Sequence, residues 1–179
     1  MKLLKRSENW QILSPEVLRQ KYLELSGSPA LFQAYPNADV VAFHEGFAVL
    51  DHERGTVTVW MEWETHELLG QKTAALLGYW RDREVSLTAD VPSRLFWEHL
   101  YPVYSRVSTC DIRASLGTGF WHNTVGEALR RGKGVTLVDL NQGKKLVLIQ
   151  SGFEADALTV LVYQTPELNA LRWLVVSES

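Results

Sequence analysis

The sequence has almost no cysteine, no long apolar run and no excess of basic charge. Its 179 residues include a single cysteine, Cys110, so no disulfide can form within the chain, and a reducing compartment is expected. The basic residues at the start are followed by no apolar run of signal-peptide length. No stretch approaches the roughly 18 apolar residues that a membrane-spanning helix needs. We therefore expect a cytoplasmic protein that does not enter a membrane.

The charges are nearly balanced. There are 18 Lys and Arg residues against 21 Asp and Glu residues, which gives a formal net charge of −3. A nucleic-acid-binding domain usually carries a basic excess, so its absence disfavours DNA or RNA as partners. With 46% hydrophobic and 22% charged residues, the chain has globular composition, and its length suits one domain. We predict a single α+β domain over residues 1–179 that needs no disulfide, metal or cofactor.

The first helix is marked at its start by two residue types. Ser14 can act as the N-cap, and Pro15 follows at the first helical position. The spacing i, i+4, i+7 predicts one buried stripe, formed by Leu18, Tyr22 and Leu25.

The middle of the chain changes its apolar period several times. From 40 to 64, apolar residues alternate on both sides of the polar loop 51–55, which predicts a β-hairpin, and Gly46 suggests a bulge in its first strand. Start signals or helical spacing predict further helices at 29–35, 65–80, 93–101 and 118–131. Alternation also predicts short strands at 84–91 and 107–116.

The last third of the chain reads as strands alone. Four apolar segments joined by short polar links are predicted at 135–140, 145–150, 158–164 and 171–176. Such links leave no room for crossover helices, so the strands must be antiparallel. The run 146–149 is apolar on both faces, which is typical of a central strand. The prediction is an α+β fold: a mostly antiparallel sheet with a C-terminal four-strand meander, packed by about four helices.

An acidic and histidine-rich stretch at 44–67 is the first candidate site. Carboxylates and imidazoles serve as metal ligands and as general acids and bases, although no spacing here matches an established ligand template. The alternative is that these side chains are solvated residues of loops and strand edges. From this stretch we single out, as candidate binding residues, Trp60, Glu62, Trp63, Glu64 and His66.

Tryptophan is abundant, with seven residues in the chain. Trp97, Tyr101 and Trp121 complete the candidate binding residues, because the helix at 93–101 is too widely apolar for a simple surface helix. Such a band is either buried or contacts an apolar ligand or a partner. Cys110 is predicted to be a core residue, since it falls on the apolar face of its strand.

No motif identifies a chemical activity, so two functions are left open. The first is a non-enzymatic adaptor, inhibitor or immunity-type regulator that binds a protein partner through a Trp- and Tyr-rich surface. The second is a small enzyme or ligand-binding protein whose aromatic-lined pocket contains Glu and His residues and takes a small apolar or aromatic ligand. Homo-oligomerisation through an exposed strand is compatible with both.

Overall fold

The structure is a computed structural model that describes residues 14–109, 118–140, 142–149 and 172–178. It is a sheet-rich α+β fold in which most strand pairs are antiparallel. The chain divides into two compact units. The first comprises Met1–Trp63 and Gly78–Phe96, and the second comprises Glu64–Leu77 and Trp97–Ser179. The expectation of a single domain stays a prediction.

The first helix is confirmed. Helix α1, Pro15–Leu25, begins at Ser14, whose Oγ accepts a hydrogen bond from the backbone N–H of Val17 at 3.4 Å. The predicted stripe packs inward: Leu18 is buried, and Tyr22 and Leu25 lie against the apolar core of the first unit.

Five strands follow. They are β1 (Ala30–Tyr35), β2 (Ala38–Phe43), β3 (Gly46–Asp51), β4 (Thr56–Leu68) and β5 (Gln71–Arg81). Each strand hydrogen-bonds to the next in chain order, as short hairpin connections require. Strands β4 and β5 contribute residues to both units.

Three predictions for residues 29–64 were wrong. The segment predicted as a short helix at 29–35 is β1, which pairs with β2. The first strand of the predicted hairpin is divided into β2 and β3 by a turn at His44 and Glu45, where Glu45 has φ 52°. Gly46 begins β3 instead of forming a bulge. A Cβ at this position would clash with the ring of Phe43, so any other residue would require that ring to move.

The helix predicted at 65–80 was also wrong, since this segment forms the end of β4 and most of β5. The two strands are joined at Leu69 and Gly70, which both have positive φ values, 53° and 73°. A helix here would have contained both Gly70 and Gly78 in its interior, at a cost of about 1 kcal/mol each. The apolar spacing that suggested the helix is satisfied equally well by the strands.

Helix α2 follows the first unit's strands. It has α-helical turns at Val91–Arg94 and Tyr101–Tyr104 and a π-helical stretch at Leu95–Leu100, so the helix predicted at 93–101 is confirmed and extended. The strand predicted at 84–91 was wrong, because Ser86–Thr88 is a 3-10 turn. Its cause is local: the hydroxyl of Thr88 donates to the carbonyls of Asp82 and Val85 at 3.0 and 2.7 Å.

In the part of the chain that the structure describes, the second unit adds four strands and one long helix. These are β6 (Arg106–Thr109), helix α3 (Thr118–Arg130), β7 (Gly134–Asp139), β8 (Lys144–Ile149) and β9 (Arg172–Ser177). The strand order is β4-β5-β6-β9-β7-β8. β6 runs parallel to β5, and the other pairs from β6 onward are antiparallel. The helix predicted at 118–131 is confirmed, whereas Cys110 and the predicted strand beyond Thr109 lie outside the described residues.

The C-terminal meander was wrong in its order. β9 lies between β6 and β7, so the strands do not follow one another across the sheet. The strand predicted at 146–149 as central is β8, which ends the described strand order, and the strand predicted at 158–164 lies outside the described residues. Short links set strand direction but do not set which strands become neighbours. Three helical segments longer than one turn, α1, α2 and α3, occur in the described ranges, where about four helices were predicted.

Candidate functional site

The candidate residues of the first unit are largely interior. Trp60 and Trp63 are only 6% and 7% exposed. The ring of Phe43 stacks on Trp60 with a centroid distance of 4.2 Å, and the Trp60 Nε1–H donates to Glu62 at 3.3 Å. These contacts explain the indoles as core residues, with Glu62 satisfying a buried N–H.

His52, in the same acidic and histidine-rich stretch, has two polar neighbours. Its Nε2 lies 3.1 Å from a carboxylate oxygen of Asp39, and its Nδ1 lies 3.1 Å from the hydroxyl of Tyr22. These contacts connect α1 to β2 at an exposed position. His52 therefore has a structural role that accounts for its two polar contacts.

The candidate residues of the second unit form separate local pairs. Glu64 and His66 lie 3.5 Å apart, and the rings of Trp97 and Tyr101, both buried, lie 5.3 Å apart. Trp121 is half-buried and contacts Phe120. Among the described residues, no three His, Cys, Asp or Glu side chains are grouped so that they could hold a metal ion.

The aromatic pair of α2 is bordered by cations. Arg131 lies over Trp97 at 4.7 Å, and Lys133 lies over Tyr101 at 5.5 Å while pairing with Glu178 at 2.7 Å. Burial, with a further contribution from Glu178, raises the pKa of Tyr101 above its ordinary range. Every charge named in this cluster except that of Arg131 is thus paired within it, and Arg131 bonds to a nearby glutamate.

A different set of residues in the second unit contains buried polar atoms without hydrogen-bond partners among the described residues. Cross-strand pairs run from β5 through β6 and β9 to β7, and paired residues project from the same face of a sheet. One face of these strands, which we call the polar face, carries two rows of side chains. The first row is Ala75, Ser108, Val175 and Thr136, and the second is Arg106, Ser177 and Gly134.

The opposite face of the same strands is apolar at the level of Val107, between Arg106 and Ser108. Its matching row is Ala74, Val107, Val176 and Val135, all with 0% exposure. The polar face is also buried: Ser108 is 0%, Thr136 6% and Arg106 7% exposed. A strand buried on both faces usually carries apolar residues on both, so the polar composition of this face requires an explanation.

Arg106 is the most unusual residue of the polar face. Its Nη1 donates a hydrogen bond to the side-chain oxygen of Gln71, but within the described part of the chain its Nε has no partner. The buried hydroxyl of Ser108 also has no partner among the described residues. Burial lowers the pKa of the Arg106 guanidinium, but an arginine remains charged in a protein.

This arrangement is energetically costly. A buried hydrogen-bonding group without a partner costs about 1–3 kcal/mol, and a buried charge without a counter-ion costs more. Buried arginines are therefore normally matched by carboxylates. An anion placed against Arg106 and Ser108 would remove both penalties.

The polar face reaches solvent at one end. Gln71 is exposed, and Ser177 and Gly134, which share the row of Arg106, are half-buried. Arg106 begins β6 directly after Ser105, whose φ of 53° is unusual for a residue with a side chain. Ser105 is the left-handed residue that ends α2, and its N–H donates to the carbonyl of Tyr101 at 2.7 Å. The row of Arg106 therefore lies next to exposed and half-buried positions at this end of the strands.

Sequence reasoning did not find Arg106. The one local signal is a charged residue opening a short segment of small and apolar residues, Arg106–Thr109, and such a residue is more often at a solvated strand end. Its burial depends on β5, β6 and β9 meeting, and that pairing could not be predicted.

Comparisons with known proteins do not assign the chain to a family: no family model, curated protein or solved structure matches it. In the described ranges, no helix is long and apolar enough to cross a membrane.

Proposed function

We propose that this protein binds a small anionic ligand on the polar face of its second unit, with Arg106 as the main contact. The observation that supports this proposal is an arginine residue, only 7% exposed, whose Nε–H has no partner among the described residues. It shares only the ligand-binding role with the alternative derived from the sequence, which expected an apolar or aromatic ligand in an aromatic-lined pocket with Glu and His residues. No described group identifies a reaction, so the proposal concerns binding.

The regulator that acts through a Trp- and Tyr-rich surface stays a prediction. Trp60, Trp63 and Trp97, on which it depends, are each less than 10% exposed. Buried indoles stabilise a core and are not available to a protein partner. For this reason the ligand-binding function is preferred.

The proposal is tested by thermal unfolding at low salt in a panel of sodium salts of small carboxylates, phosphate and sulfate. An anion that binds the folded state at ten times its Kd stabilises it by about 1.4 kcal/mol, roughly 3–6 °C in Tm for a chain of this size. Arg106→Met should abolish the shift for any anion that stabilises the wild-type protein.

Arg131→Met is the matched control. It removes the same charge from the same unit, but Arg131 is exposed and bonds to Glu127 at 2.6 Å. Its anion response should equal that of the wild type. The proposal is wrong if no anion stabilises the wild type, or if Arg106→Met responds as the wild type does.

A further inference from the structure

We infer that the ligand group received by Arg106 is a carboxylate, bound along the Nε edge of the guanidinium with the hydroxyl of Ser108 as a neighbouring donor. This inference rests on the proposed function and specifies its ligand class. Three observations support this inference. They are the single charge of the polar face, the unpartnered Nε–H of Arg106, and the small residues around Ser108.

The charge of the polar face matches a monoanion. Arg106 is the single ionisable side chain in its two described rows, because the other members are Ala, Ser, Val, Thr and Gly. A carboxylate would make the buried site neutral. A phosphate dianion would leave an excess negative charge away from water, and such a buried charge is strongly disfavoured.

The geometry of the Nε edge also matches a carboxylate. Gln71 accepts from Nη1, whereas the Nε–H has no hydrogen-bond partner among the described residues. Two parallel N–H groups on one edge of a guanidinium bind both oxygens of a planar carboxylate. No second cation among the described residues of these rows is placed to bind a third anionic oxygen.

The adjacent row explains how such a ligand would be held. Ser108 lies two residues beyond Arg106 on the same face, about 7 Å along the strand, between Ala75 and Val175 in its own row. The hydroxyl can donate to the carboxylate or to a polar atom near it. The small apolar neighbours favour an apolar body next to the anionic group.

The test is a set of NMR titrations of the full ¹⁵N-labelled chain with sodium acetate, inorganic phosphate at about pH 8, where it is mainly a dianion, and acetamide. Ionic strength and chloride are held constant. The Nε–Hε resonance of Arg106 and the backbone amides of Ser108 and Thr136 report binding. Acetate should shift these resonances to saturation and bind at least about tenfold more tightly than phosphate. Uncharged acetamide should neither shift the resonances nor compete with acetate.

Variants give the second readout. Arg106→Met should abolish the acetate-dependent shifts at Ser108 and Thr136. Ser108→Ala should weaken acetate binding by about tenfold, the value of one hydrogen bond to a charged group. Arg131→Met should bind acetate as the wild type does. Unchanged chemical shifts of the apolar face in each variant would show that the fold is kept.

The outcomes separate this inference from the proposed function. Phosphate binding as tightly as acetate, and lost in Arg106→Met, would overturn the carboxylate assignment while the anion site stands. Acetamide binding as tightly as acetate would overturn it as well. If neither anion shifts these resonances, or if Arg106→Met binds acetate normally, both the inference and the proposed function fail.

Discussion

Among the described residues, each unit buries one charged side chain, and the two side chains have very different surroundings. Asp51 in the first unit and Arg106 in the second are 5% and 7% exposed. One oxygen of Asp51 accepts the backbone N–H of Arg54 at 2.9 Å, and the other accepts the hydroxyl of Tyr35 at 3.2 Å, with Arg54 Nε at 3.9 Å. Arg106 has one hydrogen bond, to Gln71, and an unpartnered Nε within the described residues.

The difference indicates two roles for a buried charge. The carboxylate of Asp51 is satisfied by its own fold, so it stabilises the turn and strands around it. Arg106 is left incomplete by its fold, and a ligand can supply what is missing. The two roles predict different changes in the free energy of unfolding when each residue is replaced in the absence of ligand.

The largest effect is expected from Asp51→Ala. It removes the charged acceptor for the half-buried hydroxyl of Tyr35 and for the backbone N–H of Arg54. With about 1.5 kcal/mol for each hydrogen bond to a charged group, the free energy of unfolding should fall by about 3 kcal/mol. Urea unfolding followed by far-UV circular dichroism measures it. Asp90→Ala is the control: Asp90 is exposed and makes no side-chain cap bond, so its change should stay within about 0.5 kcal/mol. A loss below 1 kcal/mol at Asp51 would contradict the comparison.

The opposite sign is expected at Arg106. Without ligand, Arg106→Met replaces an incompletely paired buried charge by an apolar chain of similar length, so the free energy of unfolding should stay constant or rise by about 1 kcal/mol. The same urea experiment measures it. A loss of 3 kcal/mol or more would mean that Arg106 is a structural residue like Asp51, and the site would lose its main support.

The contrast between these charges was not accessible from the sequence, although much of the local structure was. Helix α1 could be predicted because its N-cap, its proline and its stripe are all local signals. The strands at 65–80 could not, since Leu76 and Trp80, four residues apart, satisfy helical and extended spacing alike. The environment of a buried charge depends on which strands pair. Because the position of β9 between β6 and β7 could not be predicted, the polar face could not be predicted either. The predicted candidate residues are mostly core or locally paired side chains.

A smaller test compares two buried hydroxyls. Thr58 and Ser108 are both 0% exposed, but the hydroxyl of Thr58 lies 2.8 Å from that of Tyr35, whereas Ser108 has no partner among the described residues. Thr58→Val should therefore cost about 1 kcal/mol, and Ser108→Ala should be neutral within about 0.5 kcal/mol. Equal losses in urea unfolding would show that the two hydroxyls have the same role.

The smallest expected effect is the pH dependence of stability that arises from Tyr35, which donates a hydrogen bond to Asp51. Burial, with the nearby charge of Asp51 adding to it, raises the pKa of Tyr35 from 10.0 to about 12. Between these values the unfolded chain loses the phenolic proton and the folded chain keeps it, so the contribution of Tyr35 to stability is complete below about pH 10 and is lost as the pH rises towards 12. Urea unfolding at a series of pH values, with tyrosinate absorbance recorded in parallel, measures this decline.

Tyr35→Phe is the matched variant. Burial also raises the pKa values of Tyr79 and Tyr101, so the wild type should destabilise in this range through several tyrosines. The difference between the wild type and Tyr35→Phe isolates one of them, and it should shrink as the pH rises from 10 towards 12. If that difference is constant, the hydroxyl of Tyr35 ionises as freely in the folded chain as in the unfolded one. The surroundings of Asp51 would then be solvated. The contrast between a fully paired buried charge at Asp51 and an incompletely paired one at Arg106 would no longer hold.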